Sequence, residues 1–327
     1  MKRSWTGRPV PPNALVAGSL LAAAFVAYGI WGFRATAVLG FAVRSSTPLA
    51  LAAMCGILCE RTGVINIGIE GQMLLGAFAG FFGAAAFGVV AGVAAAVVLG
   101  ALVGAFLALC AVTWRVDQII AGAVINIAAA GFTSFLYRPG RVIGSLPTWR
   151  IPLLGDLPLL GPVLFRAQPL TYLTFVVVIG LQVALFRTPW GRRTTAVGEH
   201  PGAADTVGID VARYRYGNVV AGGALAGLAG ALLSVEITGS FDRGMTAGRG
   251  FLALAIVIMG RWRPALAWAA ALFFGVLSGL VNQLNFDRVF DVPPQFVAML
   301  PYATTIVVLA IFSTRVRPPA AAGRPYP

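Results

Sequence analysis

The chain has 327 residues, of which 58% are hydrophobic and 11% charged, and its mean hydropathy is +0.85. A soluble domain carries about 25% charged residues, so a soluble globular fold is excluded and a polytopic helical membrane protein is expected. The net charge of +13 lies in short loops, as the positive-inside rule produces, and does not mark a nucleic-acid surface.

In chain order, apolar runs predict about ten spans, at residues 13–33, 37–59, 66–88, 89–113, 117–137, 170–186, 216–236, 249–259, 264–284 and 296–312. The fold class is all-α, with one transmembrane domain over residues 1–327 and some helices broken or re-entrant. The first run follows Lys2, Arg3 and Arg8. It is about 20 residues long, longer than the 7–15 of a signal-peptide core, so it reads as a retained anchor. The run at 249–259 is short for a straight crossing, which points to a tilted or re-entrant segment. Arg61, Arg115, Arg192, Arg193, Arg213, Arg215, Arg261 and Arg263 fall on the same side as the N-terminal positives, and this side outnumbers the other. Both termini are therefore expected inside. Residues 138–168 carry Pro139, Pro147, Pro152, Pro158 and Pro162 and are expected to form an ordered cap on the outer face.

Residues 188–215 form a polar island in the cytoplasm. They hold His200, the only histidine, and the carboxylates Glu199, Asp205 and Asp210. Within them a short helix is expected. His200 or Pro201 starts it, since proline is tolerated at the first helical position, and Gly208 stops it. A capped helix on a cytoplasmic loop is a docking element for a soluble partner.

Enzyme chemistry has little to stand on. Lys2 is the only lysine, so the Gly-x-x-x-x-Gly-Lys-Ser/Thr phosphate loop is missing. A single histidine on a loop supports neither a proton relay nor a His-ligated metal. No Gly-x-Ser-x-Gly elbow occurs. Cys55, Cys59 and Cys110 lie in apolar runs and read as buried thiols. No catalytic residue, metal site or resident cofactor is expected in this chain.

Polar groups inside spans are costly and usually paired or functional. The densest set runs from Glu60 to Gln72, with glycines at 63, 68 and 71 and with Asn66, Glu70 and Gln72 between them. Such a stretch predicts a discontinuous helix lining a solute pathway; the competing reading is a polar turn in which Glu70 pairs with an arginine. A second set is Asp117, Gln118 and Asn126. Asp117 reads as a helix cap. Asn126 lies about 13 Å deeper along the helix, close to the middle of a hydrocarbon core about 30 Å thick. It contacts either a solute or another helix. Gly-x-x-x-Gly pairs at Gly76/Gly80, Gly88/Gly92, Gly100/Gly104, Gly223/Gly227 and Gly275/Gly279 predict close internal helix packing.

The segment Thr62-Gly63-Val64-Ile65-Asn66-Ile67-Gly68-Ile69-Glu70-Gly71-Gln72 resembles the signature of permease subunits in bacterial ABC importers of the branched-chain amino acid and simple sugar class. Its Gly-Val-Ile-Asn-Ile-Gly-Ile-Glu-Gly form is similar to the nucleoside-import branch. Arg115-Val116-Asp117-Gln118 followed by Asn126 resembles that branch's central span. Val197 to Pro201, with Ala203, Ala204, Asp205, Gly208 and Ile209, resembles its coupling helix. Met245 to Phe251 and Gly260 to Pro264 resemble its late block. The likeness covers roughly residues 38–315 and is nearest to the shorter of two permeases.

The resemblance implies a heterodimer with a second permease subunit in the bacterial inner membrane. It also implies cytoplasmic ATP-binding subunits that consume the ATP, and an extracytoplasmic substrate-binding lipoprotein. Asn66, Glu70, Gln72, Gln118 and Asn126 are then the pathway candidates. Gly198, Glu199, His200, Pro201, Ala203, Ala204, Asp205, Gly208 and Ile209 are the ATPase-coupling candidates. The same scaffold serves importers of simple sugars and branched-chain amino acids. A different class, an autonomous secondary carrier or channel, would want more ionisable carboxylates in the spans and no docking helix.

Overall fold

The structure is a computed structural model that describes residues 29, 32–140, 142–144, 146–286, 299–312 and 317–326. The expected first span, at 13–33, lies almost wholly outside them, as does the start of the last. Among the described residues, seven helices are long and apolar enough to cross a membrane. These are α1 (Phe33–Glu60), α2 (Ile69–Phe87), α3 (Val89–Ala108, continued by a π-turn over Leu109–Thr113), α4 (Gln118–Leu136), α6 (Pro169–Arg187), α9 (Val211–Ala231, continued by a π-turn over Leu232–Ile237) and α11 (Pro264–Phe286). Two shorter helices, α10 (Arg249–Met259) and α12 (Leu300–Phe312), are also among the described residues. The chain is a multi-pass membrane protein.

The helices are layered. The most apolar stretches of α1 and α9 are 83% and 72% buried, whereas those of α4 and α6 are 28% buried, so α1 and α9 are the inner spans. α9 packs on α1, α2 and α3, and α11 packs on α1. The glycine pairs explain how close these contacts are. A Cβ on Gly100 would stand 2.3 Å from the carbonyl oxygen of Gly223, and one on Gly76 would stand 2.4 Å from that of Gly227. In apolar surroundings such backbone-to-backbone approach gives the dispersion contacts that hold helices together. Pro48 sits inside α1 and leaves the Arg44 carbonyl without its helical donor. Thr47 Oγ1 donates to that carbonyl at 2.7 Å, so the helix crosses without an orphaned group.

Between α6 and α9 the polar island folds into two short helices. α7 (Pro189–Glu199) is opened by Thr188, whose Oγ1 accepts from the Gly191 amide at 3.3 Å. α8 (Pro201–Thr206) begins at the predicted proline, and Gly208, at φ +81°, turns the chain after it. α9 starts at Val211, five residues before the expected span, because the Asp210 side chain accepts from the Arg213 amide at 2.8 Å and caps it. On the opposite side, β1 (Trp149–Arg150) pairs antiparallel with β2 (Arg166–Ala167) around α5 (Leu160–Leu164). Asp156 is joined to both Arg150 and Arg166.

Candidate functional site

The centre of interest is the interruption between α1 and α2. α1 stops at Glu60 and α2 begins at Ile69, each long enough to cross a membrane by itself. Residues 61–68 are therefore a break between two spans and not a gap within one helix, and their largely buried backbone groups need partners. The polar side chains predicted from sequence supply them. Gln118 Oε1 accepts from the Ile65 amide at 2.7 Å. Asn126 Nδ2 donates to the Ile67 carbonyl at 3.0 Å, while its Oδ1 accepts from the Gly71 amide at 2.7 Å. α4 therefore grips the break at two levels. Asp117 caps α4 by accepting from the Ile119 and Ile120 amides.

Asn66 and Gln72 lie on the protein side of the break and are fully buried. Asn66 Nδ2 donates to Gln72 Oε1 at 3.0 Å and to Cys55 Sγ at 3.3 Å, and Cys59 Sγ is 3.7 Å away. The two thiols, one turn apart on α1, thus pack against an amide pair. Asn66 Oδ1, Gln72 Nε2 and Gln118 Nε2 have no hydrogen-bond partner among the described residues. Of the five pathway candidates, Glu70 and Asn126 alone are half-buried rather than buried.

Among the described residues, Glu70 pairs with no arginine. Its Oε1 accepts from the Gly248 amide at 2.8 Å and its Oε2 from the Gly250 amide at 2.6 Å. These are free donors at the N-terminus of α10, where the helix dipole also favours an anion. A carboxylate on α2 therefore caps a different helix. Glu236 repeats the device at the start of α6. Its Oε2 accepts from the Leu170 amide at 2.7 Å, and its Oε1 from the Thr171 amide at 3.0 Å and the Thr171 hydroxyl at 2.6 Å. Sequence reasoning passed over Glu236, which is 5% exposed. The signal was a lone carboxylate at the end of an apolar run.

The coupling candidates form the second cluster, and they touch the break. Gly198 and Ala204 are buried, while Glu199, His200, Ala203, Asp205 and Gly208 are exposed, with Pro201 and Ile209 between. A Cβ on Gly198 would stand 2.1 Å from the Arg61 carbonyl oxygen, so the end of α7 lies backbone-to-backbone on the start of the break. Arg61 fixes the same corner. It donates to the Trp262 carbonyl at 2.8 Å and to Thr195 Oγ1 at 3.0 Å, and its guanidinium lies 4.7 Å from the Phe186 ring centre. Burial, and then the neighbouring Arg263, draw the Arg61 pKa down, against the pull of Glu199. Glu60 Oε2 accepts from Trp262 Nε1 at 2.5 Å, which joins the turn after α10 to α1. Beside the elbow an open groove of about 590 Å³ is lined by Trp190, Arg193, Gly208, Arg213, Tyr214 and Asn218.

Apolar helices long enough to cross a membrane, joined at residues 61–68 by buried polar side chains and touched there by a two-helix elbow, define a multi-pass membrane protein. Residues 37–309 match the family described as branched-chain amino acid transport system / permease component, and the chain belongs to it. The chain is 36% identical over 302 residues to the nucleoside ABC transporter permease protein NupC of Lactococcus lactis, covering 86% of this chain and 93% of that protein. It is 38% identical over the same length, with the same coverage, to the guanosine ABC transporter permease protein NupQ of Bacillus subtilis. TsgC13 of Haloferax volcanii, named provisionally for glucose ABC transport, is 33% identical over 84% of this chain and 91% of its own. NupB, a second nucleoside permease named in L. lactis, is 25% identical over 95% of this chain and 93% of its own, so the relatives include paired permease subunits. No solved structure matches the chain.

Proposed function

We propose that this chain is the permease subunit of an ATP-driven importer and forms the translocation pathway for nucleosides. The observation that carries the reading is the likeness to NupC and NupQ over 86% of the chain, and the contact of the elbow with the break is consistent with it. A second permease of the NupB kind pairs with it. Cytoplasmic ATPases take the exposed face of α7 and α8 and the groove beside it, and an outer lipoprotein delivers the solute at the bacterial inner membrane. ATP is bound and hydrolysed by those partners. Movement of the elbow displaces residues 61–63 through Gly198, and Gln118 and Asn126 carry the displacement to α4. Gln118 and Asn126 shape the pathway wall by holding its backbone, Asn66 and Gln72 by bonding one another beneath it, and Glu70 by fixing the start of α10. The three unpartnered amide atoms of Asn66, Gln72 and Gln118 leave hydrogen-bonding capacity for a second arrangement of the break.

The likeness to TsgC13 favours a sugar as the second reading. Uptake of radiolabelled purine and pyrimidine nucleosides, glucose, ribose and leucine, in cells with and without the gene, separates them. Loss of nucleoside uptake alone is expected. Intact nucleoside uptake with loss of sugar or leucine uptake would retain the permease and reject the substrate.

A further inference from the structure

Residues 317–326 return to the elbow after the last helix and bind three separate parts of the fold. The Ala321 amide donates to the Gly198 carbonyl at 2.9 Å, and the Ala320 amide to Glu199 Oε2 at 3.3 Å. The Gly323 amide donates to the Gly63 carbonyl at 2.9 Å. Arg215 Nη1 donates to the Arg324 carbonyl at 3.0 Å, and its Nε to the Thr62 carbonyl at 3.1 Å. Tyr326 hydrogen-bonds Asp205 Oδ2 at 3.1 Å and packs against Val197, Ala204 and Val211.

The fit is too close for a loosely held extension. Gly63 has φ +87°, and a Cβ there would stand 2.9 Å from the Ala321 carbonyl oxygen. Pro319 and Ala321 are buried. Arg215 is 1% exposed, and its charge faces backbone carbonyls. One of these, Thr62, follows the C-terminus of α1, where the helix dipole favours a cation. A buried guanidinium held this way fixes the segment and the break in one frame, because removing either carbonyl would leave a desolvated charge less satisfied.

We propose that residues 317–326, clipped by Arg215, are a coupling strap: a second link through which movement of the elbow reaches the interruption at residues 61–68. The proposal rests on the importer reading. The segment bonds to the moving element at Gly198, Glu199 and Asp205 and to the responding element at Gly63, so elbow and break move as one body. Arg215 acts as a positioning residue.

The test uses the complete transporter in liposomes, with uptake of the radiolabelled solute and ATP hydrolysis measured on the same preparations. Three chains are compared: the wild type, one ending at residue 316, and Gly323→Val. Gly323 has φ +75°, and a Cβ there would meet Ile65 Cδ1 at 3.0 Å, so valine keeps the segment present but unseated. Uptake is expected to fall at least about tenfold in both variants while hydrolysis per complex stays within about twofold, which is uncoupling. Uptake and hydrolysis falling in proportion would make the segment mere packing, and unchanged uptake would make it a bystander; either overturns the strap. If the shortened chain fails to assemble, Gly323→Val decides. A wild type that hydrolyses ATP but moves no nucleoside refutes the substrate assignment instead, and the strap is then read with whichever of the tested sugars or leucine the wild type accumulates.

Discussion

Glu70 Oε2 stands 2.6 Å from the amide nitrogen of Gly250, and the other carboxylate oxygen stands 2.8 Å from that of Gly248. One side chain on α2 thereby holds the start of α10, a helix too short to cross a membrane by itself. Glu70→Gln keeps the size but removes the charge and one acceptor. Hydrogen bonds to charged groups are worth about 1.5–3 kcal/mol each, so a stability loss in that range is expected in detergent, together with impaired uptake. Thermal unfolding and uptake measure the two. Wild-type values for both would show that the cap is dispensable.

Glu236 provides the internal comparison. It fills the same role for α6 but is more deeply buried and accepts three hydrogen bonds. Glu236→Leu leaves two amides and a hydroxyl unpaired, at about 1–3 kcal/mol for each unsatisfied group. Thr171→Val removes one of the three donors and costs about 1 kcal/mol. A smaller effect for the glutamate than for the threonine would contradict the capping role.

Asn126 grips the break from both sides. Asn126→Leu leaves the Ile67 carbonyl and the Gly71 amide without that partner, so uptake is expected to fall while assembly with the second permease survives. Uptake is compared at matched amounts of assembled complex. Normal uptake would reduce Asn126 to a packing residue.

Gly198 has no room for a side chain, because its Cβ would overlap the Arg61 carbonyl. Gly198→Val should push the elbow off the break, and Glu199→Arg should disturb the exposed face that is proposed to meet the ATPase. Both are expected to separate hydrolysis from transport while solute binding by the lipoprotein is untouched. Transport unchanged in both variants would remove the elbow from the coupling route.

The loop carrying β1, α5 and β2 has its own pH dependence. Hydrogen bonding to Arg150 holds the Asp156 carboxyl below the ordinary aspartate range, with Arg166 adding to it. A lowered folded pKa means stabilisation that is complete above the unfolded value and lost as pH falls through the folded one. Protease protection of residues 146–168 should therefore be flat from neutral pH down to the ordinary aspartate range and weaken only below it. Asp156→Asn should remove that dependence. Weakening on alkalinisation would give the opposite sign and reject the assignment.

Much of this was legible in the sequence because a membrane makes polar residues conspicuous. Asn66, Glu70, Gln72, Gln118 and Asn126 stood out against apolar runs, and the structure gathers all five around one interruption. Pro201 and Gly208 marked α8 because proline starts and glycine ends a short helix by local geometry alone. What could not be read was partnership across the fold. Nothing near Glu70 in sequence says that its donors lie at Gly248 and Gly250, and nothing near Arg215 points to Thr62 and Arg324. α7 was missed because the face it buries is made of Gly191, Thr194, Val197 and Gly198, small or polar residues that leave no strong apolar stripe, and because its cap, Thr188, lies directly after an apolar span.

The central claim is that this chain carries nucleosides across a membrane when a partner hydrolyses ATP. Its most direct test is the purified complex of this chain with its second permease and ATPases in sealed liposomes, with the lipoprotein and a radiolabelled nucleoside on the delivery side. The account predicts accumulation against a gradient with ATP, none with a non-hydrolysable analogue, and loss of accumulation with Gly198→Val. Accumulation without ATP, or accumulation of sugars or leucine in place of nucleosides, would contradict it.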